Sequence, residues 1–164
     1  MVFSNITCVA FDFDGVFTNN KVLVDQSGTE FVVCDRSDGI GIKRLNDIGI
    51  QTIVISTESN PVVTHRAKKI GIEVIQNVSD KSEVLKKWAL SKNIDLSSIA
   101  FLGNDINDIP AFSVVGFPIA VADCYDEIRN HVHFILQKNG GHGAVRELCD
   151  LIYFSKIINA QQII

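Results

Sequence analysis

Asp12 and Asp14 stand two residues apart where an apolar run, Ile6 to Phe11, ends, and Gly15 follows them. In an extended strand, residues i and i+2 point the same way. Both carboxylates therefore tend toward one crevice. Close carboxylates repel unless a cation or a shared proton separates them, and all-oxygen ligands favour Mg²⁺. One carboxylate could then attack a phosphorus while the other shuttles a proton. The same pair could equally end a strand in a solvated Asp-x-Asp-Gly turn, and these residues alone leave both readings open.

Three further pieces sit where chemistry is often placed. Ser56 closes the apolar stretch Ile53-Val54-Ile55. Lys81 opens a helical stretch, where the helix dipole slightly disfavours a cation. Gly103-Asn104-Asp105-Ile106-Asn107-Asp108 follows the apolar run Ile99 to Leu102. Each is compatible with an ordinary strand end or helix start.

These pieces need a scaffold of strands and helices. Ile6 to Phe11 reads as a buried parallel strand. Lys21 to Val24 and Phe31 to Val33 flank the turn Asp25 to Thr29, so Lys21 to Cys34 reads as a β-hairpin arm. Its apolar residues Val22, Val24, Phe31 and Val33 need cover, from their own domain or from other subunits. A helix is expected over Gly39 to Asp47 and a strand over Ile50 to Ile55. Asn60-Pro61 starts a helix, with Asn60 as N-cap, that ends at Gly71. Glu73 to Ile75 is a short strand, and Asp80-x-x-Glu83 opens a helix through Leu90 in capping-box form. Strands over Ile99 to Leu102, Phe117 to Val121 and Phe134 to Leu136 follow. They are separated by a short helix over Asp108 to Val114 and a helical turn over Tyr125 to His131. A terminal helix covers Ala144 to about Ile158. Strands alternating with helices predict an α/β fold with a doubly wound parallel sheet, formed by one domain over residues 1–164.

Composition narrows the function classes. A 46% hydrophobic content and three prolines argue against disorder. The net charge of −4 makes nucleic acid an unsuitable partner. The N-terminus has no basic region before its apolar run, so neither a signal peptide nor a membrane span is expected. Cys8, Cys34, Cys124 and Cys149 lack metal-type spacing, which predicts free thiols in a reducing, cytoplasmic setting.

Taken in order, Asp12-Phe13-Asp14-Gly15-Val16-Phe17-Thr18, Ser56, Lys81 and Gly103-Asn104-Asp105-x-x-Asp108 resemble the four motifs of the haloacid dehalogenase superfamily. The resemblance runs from about Ile6 to about Leu151 and narrows to the small sugar-phosphate phosphatases without a large cap domain. These act on 3-deoxy-manno-octulosonate 8-phosphate or on nonulosonate (sialic-acid type) 9-phosphates. It implies a Rossmann-like core and a Mg²⁺-dependent phosphatase. Asp12 would be the nucleophile. Asp14 would protonate the leaving oxygen and then activate water, its backbone carbonyl meeting the metal. Ser56 and Lys81 would bind the phosphate. Asn104 departs from the usual aspartate at its position and removes one charge. By the resemblance, the metal set is Asp12, Asp14, Asn104 and Asp105, with Asp108 holding Lys81 or a metal water.

The resemblance also speaks to specificity. Ser56-Thr57-Glu58 differs from the Ser-Gly-Arg usual in the octulosonate enzymes and is similar to the nine-carbon branch, as is Lys69. A Glu58–Lys69 pair would orient a longer polyol. Arg36-Ser37-Asp38-Gly39-Ile40-Gly41-Ile42 matches a substrate-facing loop, and Gly140-Gly141-His142-Gly143-Ala144-x-Arg146-Glu147 a glycine-rich tail signature. Thr18, Ser37, Thr57, Glu58, Lys69 and Arg146 are accordingly the expected substrate contacts, with Arg146 on a sugar carboxylate. The expected substrate is an acidic nine-carbon sugar 9-phosphate, the alternative 3-deoxy-manno-octulosonate 8-phosphate. A third reading is a non-catalytic oligomerisation partner of an acylneuraminate cytidylyltransferase, since a related fused domain also carries Asn at position 104. In the family, hairpins of four subunits form a central barrel and complete one another's sites, so a homotetramer is implied.

Overall fold

In the computed structural model, which describes residues 3–161 and the side chains of residues 3–158, the chain opens with β1 (Cys8–Phe11). A hairpin of β2 (Leu23–Val24) and β3 (Glu30–Phe31) follows. Strands and helices then alternate through α1 (Ser37–Asp47), β4 (Gln51–Ile55), α2 (Val62–Ile70), β5 (Glu73–Ile75), α3 (Lys81–Ser91) and β6 (Ile99–Gly103). The chain closes with α4 (Ile109–Phe112), β7 (Phe117–Ala120), β8 (Phe134–Ile135) and α5 (Ala144–Gln161). No described helix is long and apolar enough to cross a membrane.

Six strands form one parallel sheet in the order β5-β4-β1-β6-β7-β8. All four residues of β1 and all five of β6 are buried, as expected of strands covered on both faces. Helix α1 packs against α5, and α3 against α4. The chain leaves β1 for β4 on one side and later returns to β6 on the other. Such a reversal opens a crevice at the carboxyl edge of the sheet. Phe11 lies opposite Val54 and Leu102, so the three central strands end nearly level. Asp12, Ser56 and Asn104 are the next residues after β1, β4 and β6. The doubly wound α/β architecture is therefore as the sequence indicates, with no large cap among the described residues.

The element ends differ from the sequence reading for local reasons. Thr7 gives its N–H to Ser98 O rather than to the ladder, so the first strand starts at Cys8 instead of Ile6. Helix α1 starts at Ser37 instead of Gly39, because Asp35 Oδ1 receives both the N–H and the hydroxyl of Ser37 at 2.7 Å. Asn60 Oδ1 accepts from Val62 N at 3.1 Å and opens α2 as an Asn-Pro turn. At α3, Asp80 caps by accepting from Ser82 N and Glu83 N. Glu83 does not return the bond and sits near Lys86 instead. The segment expected as a helix from Asp108 is a 3₁₀ turn over Ile106–Asp108 followed by α4.

The arm is shorter in ladder than expected. Its strands hold only two residue pairs, Leu23 with Phe31 and Val24 with Glu30. Asp25 Oδ1 gathers the N–H groups of Ser27 and Thr29 at its tip, and a Thr18–Cys34 bridge closes its root. Leu23 is 71% exposed and Val33 64%, with Val22, Val24 and Phe31 also exposed. Each of these side chains keeps more than half of its surface open in one chain, and a two-stranded ribbon alone is marginal.

Asp38 is a buried carboxyl at the α1–α5 junction. One oxygen accepts the N–H of Arg146 at 3.2 Å, and Oδ2 has no partner among the described residues. Burial above all pushes its pKa from 3.8 up to about 7. A raised carboxyl pKa means the folded state keeps a proton that the unfolded state has released. Stability conferred by the neutral form is therefore lost as pH climbs from about 4 to about 7. Asp38→Asn cannot ionise. Its stability relative to the parent is expected to improve across that window by a few kcal/mol, because each pH unit between those two limits is worth about 1.4 kcal/mol. Urea unfolding at stepped pH checks this.

Candidate active site

The crevice at the carboxyl edge has a volume of about 80 Å³ and is lined by Asp12, Asp14, Asn20, Ser56, Thr57, Asn104, Asp105 and Asn107. At its floor lies a buried charge triad. Lys81 Nζ stands 2.7 Å from Asp12 Oδ1 and 2.6 Å from Asp108 Oδ1, and all three side chains are almost fully removed from solvent. Asp80 places Lys81 at the start of α3, so the helix begins where the triad needs its cation. Asp108 Oδ2 accepts from the N–H groups of Asn104 at 2.8 Å and Asp105 at 3.3 Å. It therefore shapes the turn after β6 while holding Lys81.

The electrostatics follow from burial. Burial works to lower the Lys81 pKa, but the Asp12 and Asp108 carboxylates outweigh it and hold the ammonium above its ordinary value. Burial and the Asp108 charge push Asp12 up to about 7 against the pull of Lys81 and the Phe13 N–H. Two carboxylates face one ammonium, leaving an excess of negative charge that a cation would relieve. Burial raises Asp14 as well, opposed by a hydrogen bond from Thr18.

An all-oxygen donor set borders the crevice. Among the described residues no three His, Cys, Asp or Glu side chains converge as a metal cluster. The candidate set is instead two carboxylates with an amide. Asn104 is 5% exposed, and its Oδ1 is buried with no hydrogen-bond partner among the described residues. Such an orphaned oxygen is costly unless something engages it. Its amide packs on Gly15, where an added Cβ would fall 2.1 Å from Nδ2. Asp105 Oδ1 accepts from Ile106 N at 2.7 Å, and Asp105 still borders the crevice. Amide and carboxylate oxygens suit a hard divalent cation, so these residues fit Mg²⁺.

Ser56 is 1% exposed, and its Oγ accepts from Glu58 N at 3.1 Å. The hydroxyl proton remains available to an acceptor in the crevice. Thr57 lies on the rim. Asn20 and Asn107 border the site without having been singled out in the sequence. Asn20 holds φ 60°, a conformation Asn tolerates better than most residues, and that tolerance was the readable signal.

Of the six expected substrate contacts only Thr57 lines the crevice, and four of the other five have partners of their own within the chain. Thr18 is fully buried, and its hydroxyl is used up inside its own loop. Ser37 donates to Asp35 as part of the α1 start. Glu58 Oε1 accepts from the N–H groups of Ser59 and Asn60 at 2.7 Å, so it caps the approach to α2 rather than pairing with Lys69. Lys69 instead borders a separate groove of about 710 Å³ with Arg36, Lys43, Arg66 and Lys68. Arg146 Nε donates to Asp150 Oδ2 at 2.7 Å beneath α1, which occupies the guanidinium in helix packing.

A haloacid dehalogenase-like hydrolase family model matches residues 42–148. The 3-deoxy-D-manno-octulosonate 8-phosphate phosphatase of Haemophilus influenzae is 33% identical over 149 residues, covering 90% of this chain and 83% of that protein. A crystal structure of the Moraxella catarrhalis phosphatase of that name, in complex with a magnesium ion, a phosphate ion and a KDO molecule, superposes with a TM-score of 0.91. It is 33% identical and covers 98% of this chain and 93% of that one. The cobalt-bound Haemophilus influenzae deoxy-D-mannose-octulosonate 8-phosphate phosphatase superposes at 0.90 with 31% identity, covering 95% and 92% of the two chains. The chain belongs to the haloacid dehalogenase-like hydrolases.

Removing the acceptor from a buried network leaves its donors unmet. Asp108→Ala leaves Lys81 half-paired and the Asn104 and Asp105 N–H groups unmet. It is expected to lower unfolding stability by about 1–3 kcal/mol for each N–H left unmet, read from guanidinium denaturation of parent and variant.

Proposed function

We propose that this haloacid dehalogenase-like hydrolase is a phosphomonoesterase that removes the terminal phosphate of an acidic sugar, 3-deoxy-D-manno-octulosonate 8-phosphate. The observation that carries the chemistry is the Asp12–Lys81–Asp108 triad beside the orphaned Asn104 oxygen. The substrate rests on the relatives, whose identity extends over nearly the whole chain.

In this reading Asp12 Oδ1 is held by Lys81 and the Phe13 N–H, and Oδ2 attacks phosphorus. Ser56 and Lys81 bind the equatorial oxygens, where charge builds in the transition state. Asp14 gives a proton to the departing sugar oxygen, leaving an aspartyl-phosphate on Asp12. Asp14 then takes a proton from water, which attacks the same phosphorus and frees inorganic phosphate. Asp12, the backbone carbonyl of Asp14, Asn104 and Asp105 would hold Mg²⁺, whose charge would lower the barrier for approach of a carboxylate to a phosphate dianion. Asp108 keeps Lys81 in place.

A second reading retains the nine-carbon sugar 9-phosphate, favoured by the residue type at Glu58. Its capping bonds to Ser59 and Asn60 weaken that support, because the carboxylate already serves the local turn. Asn104 feeds the third reading, a non-catalytic partner of a cytidylyltransferase. Retention of Asp12, Asp14, Ser56 and Lys81 counts for catalysis, since a purely structural domain needs none of them.

Phosphate release from both sugar phosphates, with and without Mg²⁺, tests the set. Highest kcat/KM on the octulosonate ester, loss of turnover in EDTA, and a drop of about a thousandfold or more in Asp12→Asn are expected. Preference for the nine-carbon ester selects the second reading, and no release from either selects the third.

The exposed arm supports a homotetramer with the hairpins at its centre, because Leu23, Phe31 and Val33 on one face and Val22 and Val24 on the other stay more than half exposed in one chain. Sedimentation at micromolar concentration is expected to show a species larger than the monomer, and Leu23→Lys to dissociate it. A monomeric parent protein would refute the assembly.

A further inference from the structure

The first-motif loop after β1 closes on one hydroxyl. Thr18 Oγ1 donates to Asp14 Oδ1 at 3.2 Å and accepts from the N–H groups of Gly15 at 3.1 Å and Asn20 at 3.2 Å. A hydroxyl carries one proton and two lone pairs. With both lone pairs taken by backbone N–H groups, the proton is left pointing at Asp14. Thr18 itself is fully buried, so no solvent competes for it.

The loop rests on a second layer. Gly141 donates its N–H to Val16 O at 3.0 Å, and Gly140 donates to Asp123 Oδ1 at 2.9 Å. A Cβ on Gly140 would lie 1.9 Å from Gly15 O, and one on Gly141 2.4 Å from Asn19 N. The glycines of the tail signature thus let one backbone lie flat against another, and the backbone they touch is the one that carries Thr18. Thr18 also pairs with Cys34 at the root of the arm.

We infer that Thr18 is a positioning residue for Asp14: its hydroxyl fixes the carboxyl by one oxygen and reserves the other for the leaving group, on a seat formed by Gly140 and Gly141. The inference rests on the proposed role of Asp14 as proton donor to the departing sugar oxygen. It places Thr18 behind the reacting atoms, where it touches neither phosphate nor sugar.

Leaving-group chemistry tests it. A sugar alkoxide is strongly basic and needs the proton as its bond to phosphorus breaks. A 4-nitrophenolate departs without one. Thr18→Val removes the hydroxyl at nearly constant shape, and Thr18→Ser restores it. Single-turnover cleavage of 3-deoxy-D-manno-octulosonate 8-phosphate is expected to slow by about tenfold to a hundredfold in Thr18→Val, as befits a misplaced general acid. The 4-nitrophenol burst from 4-nitrophenyl phosphate should change less than about threefold, and Thr18→Ser should recover most of the loss. On an Asp14→Asn background, Thr18→Val should add nothing further. Equal losses on both esters would make Thr18 merely structural and overturn the inference. If the parent enzyme cleaves 4-nitrophenyl phosphate but no sugar phosphate, the substrate reading fails, and the inference with it. Should Thr18→Val not fold, Thr18→Cys, a weaker donor of similar size, is read in the same two assays.

Discussion

The buried ammonium of Lys81 is the constraint on which the site depends. It is held by two carboxylates from different parts of the chain, one after β1 and one in the turn after β6. All three side chains are buried, and in that environment an unmatched charge is expensive. The start of α3 is therefore fixed to the centre of the sheet, and Asp108 must double as the organiser of the Asn104–Asp105 turn. The remaining negative charge makes the crevice receptive to a cation, which in turn makes it receptive to phosphate.

Much of this was legible in the sequence because it is local or periodic. Continuous apolar runs announced the central strands, Gly71 announced the end of α2, and Asp80 the start of α3. The positions of Asp12, Ser56 and Lys81 at element boundaries could be read because strand ends in a parallel sheet gather at one edge. The partners of polar side chains were far less legible. Glu58, Ser37 and Thr18 have residue types that suit a ligand, yet each meets backbone N–H groups or a side chain within a few residues. Short polar side chains compete strongly for such nearby bonds. Arg146 and Lys69 were hidden for the opposite reason. Their surroundings depend on how α1, α2 and α5 come together, and no spacing encodes that.

The arm and the crevice share a root. Thr18 and Cys34 pair where the hairpin leaves the body, and the loop between Asp14 and Thr18 is the one that seats on Gly140 and Gly141. A surface element with exposed apolar residues is thus joined directly to the loop bearing Asp14.

The place of β1 in the sheet has a consequence for how the chain is made. Its edges are met by β4 and by β6, and β6 begins at Ile99, far along the sequence from Phe11. During vectorial synthesis on the ribosome, β1 is made before either of its neighbours, and it lacks the second until β6 has been translated. Parallel pairing of segments so distant in sequence is slow, because the loop must close before the contacts reward it. For that interval an apolar strand with an unsatisfied edge is exposed to other nascent chains. The topology that gives the nucleophile its central position also makes its strand the one most in need of protection while the polypeptide is still growing.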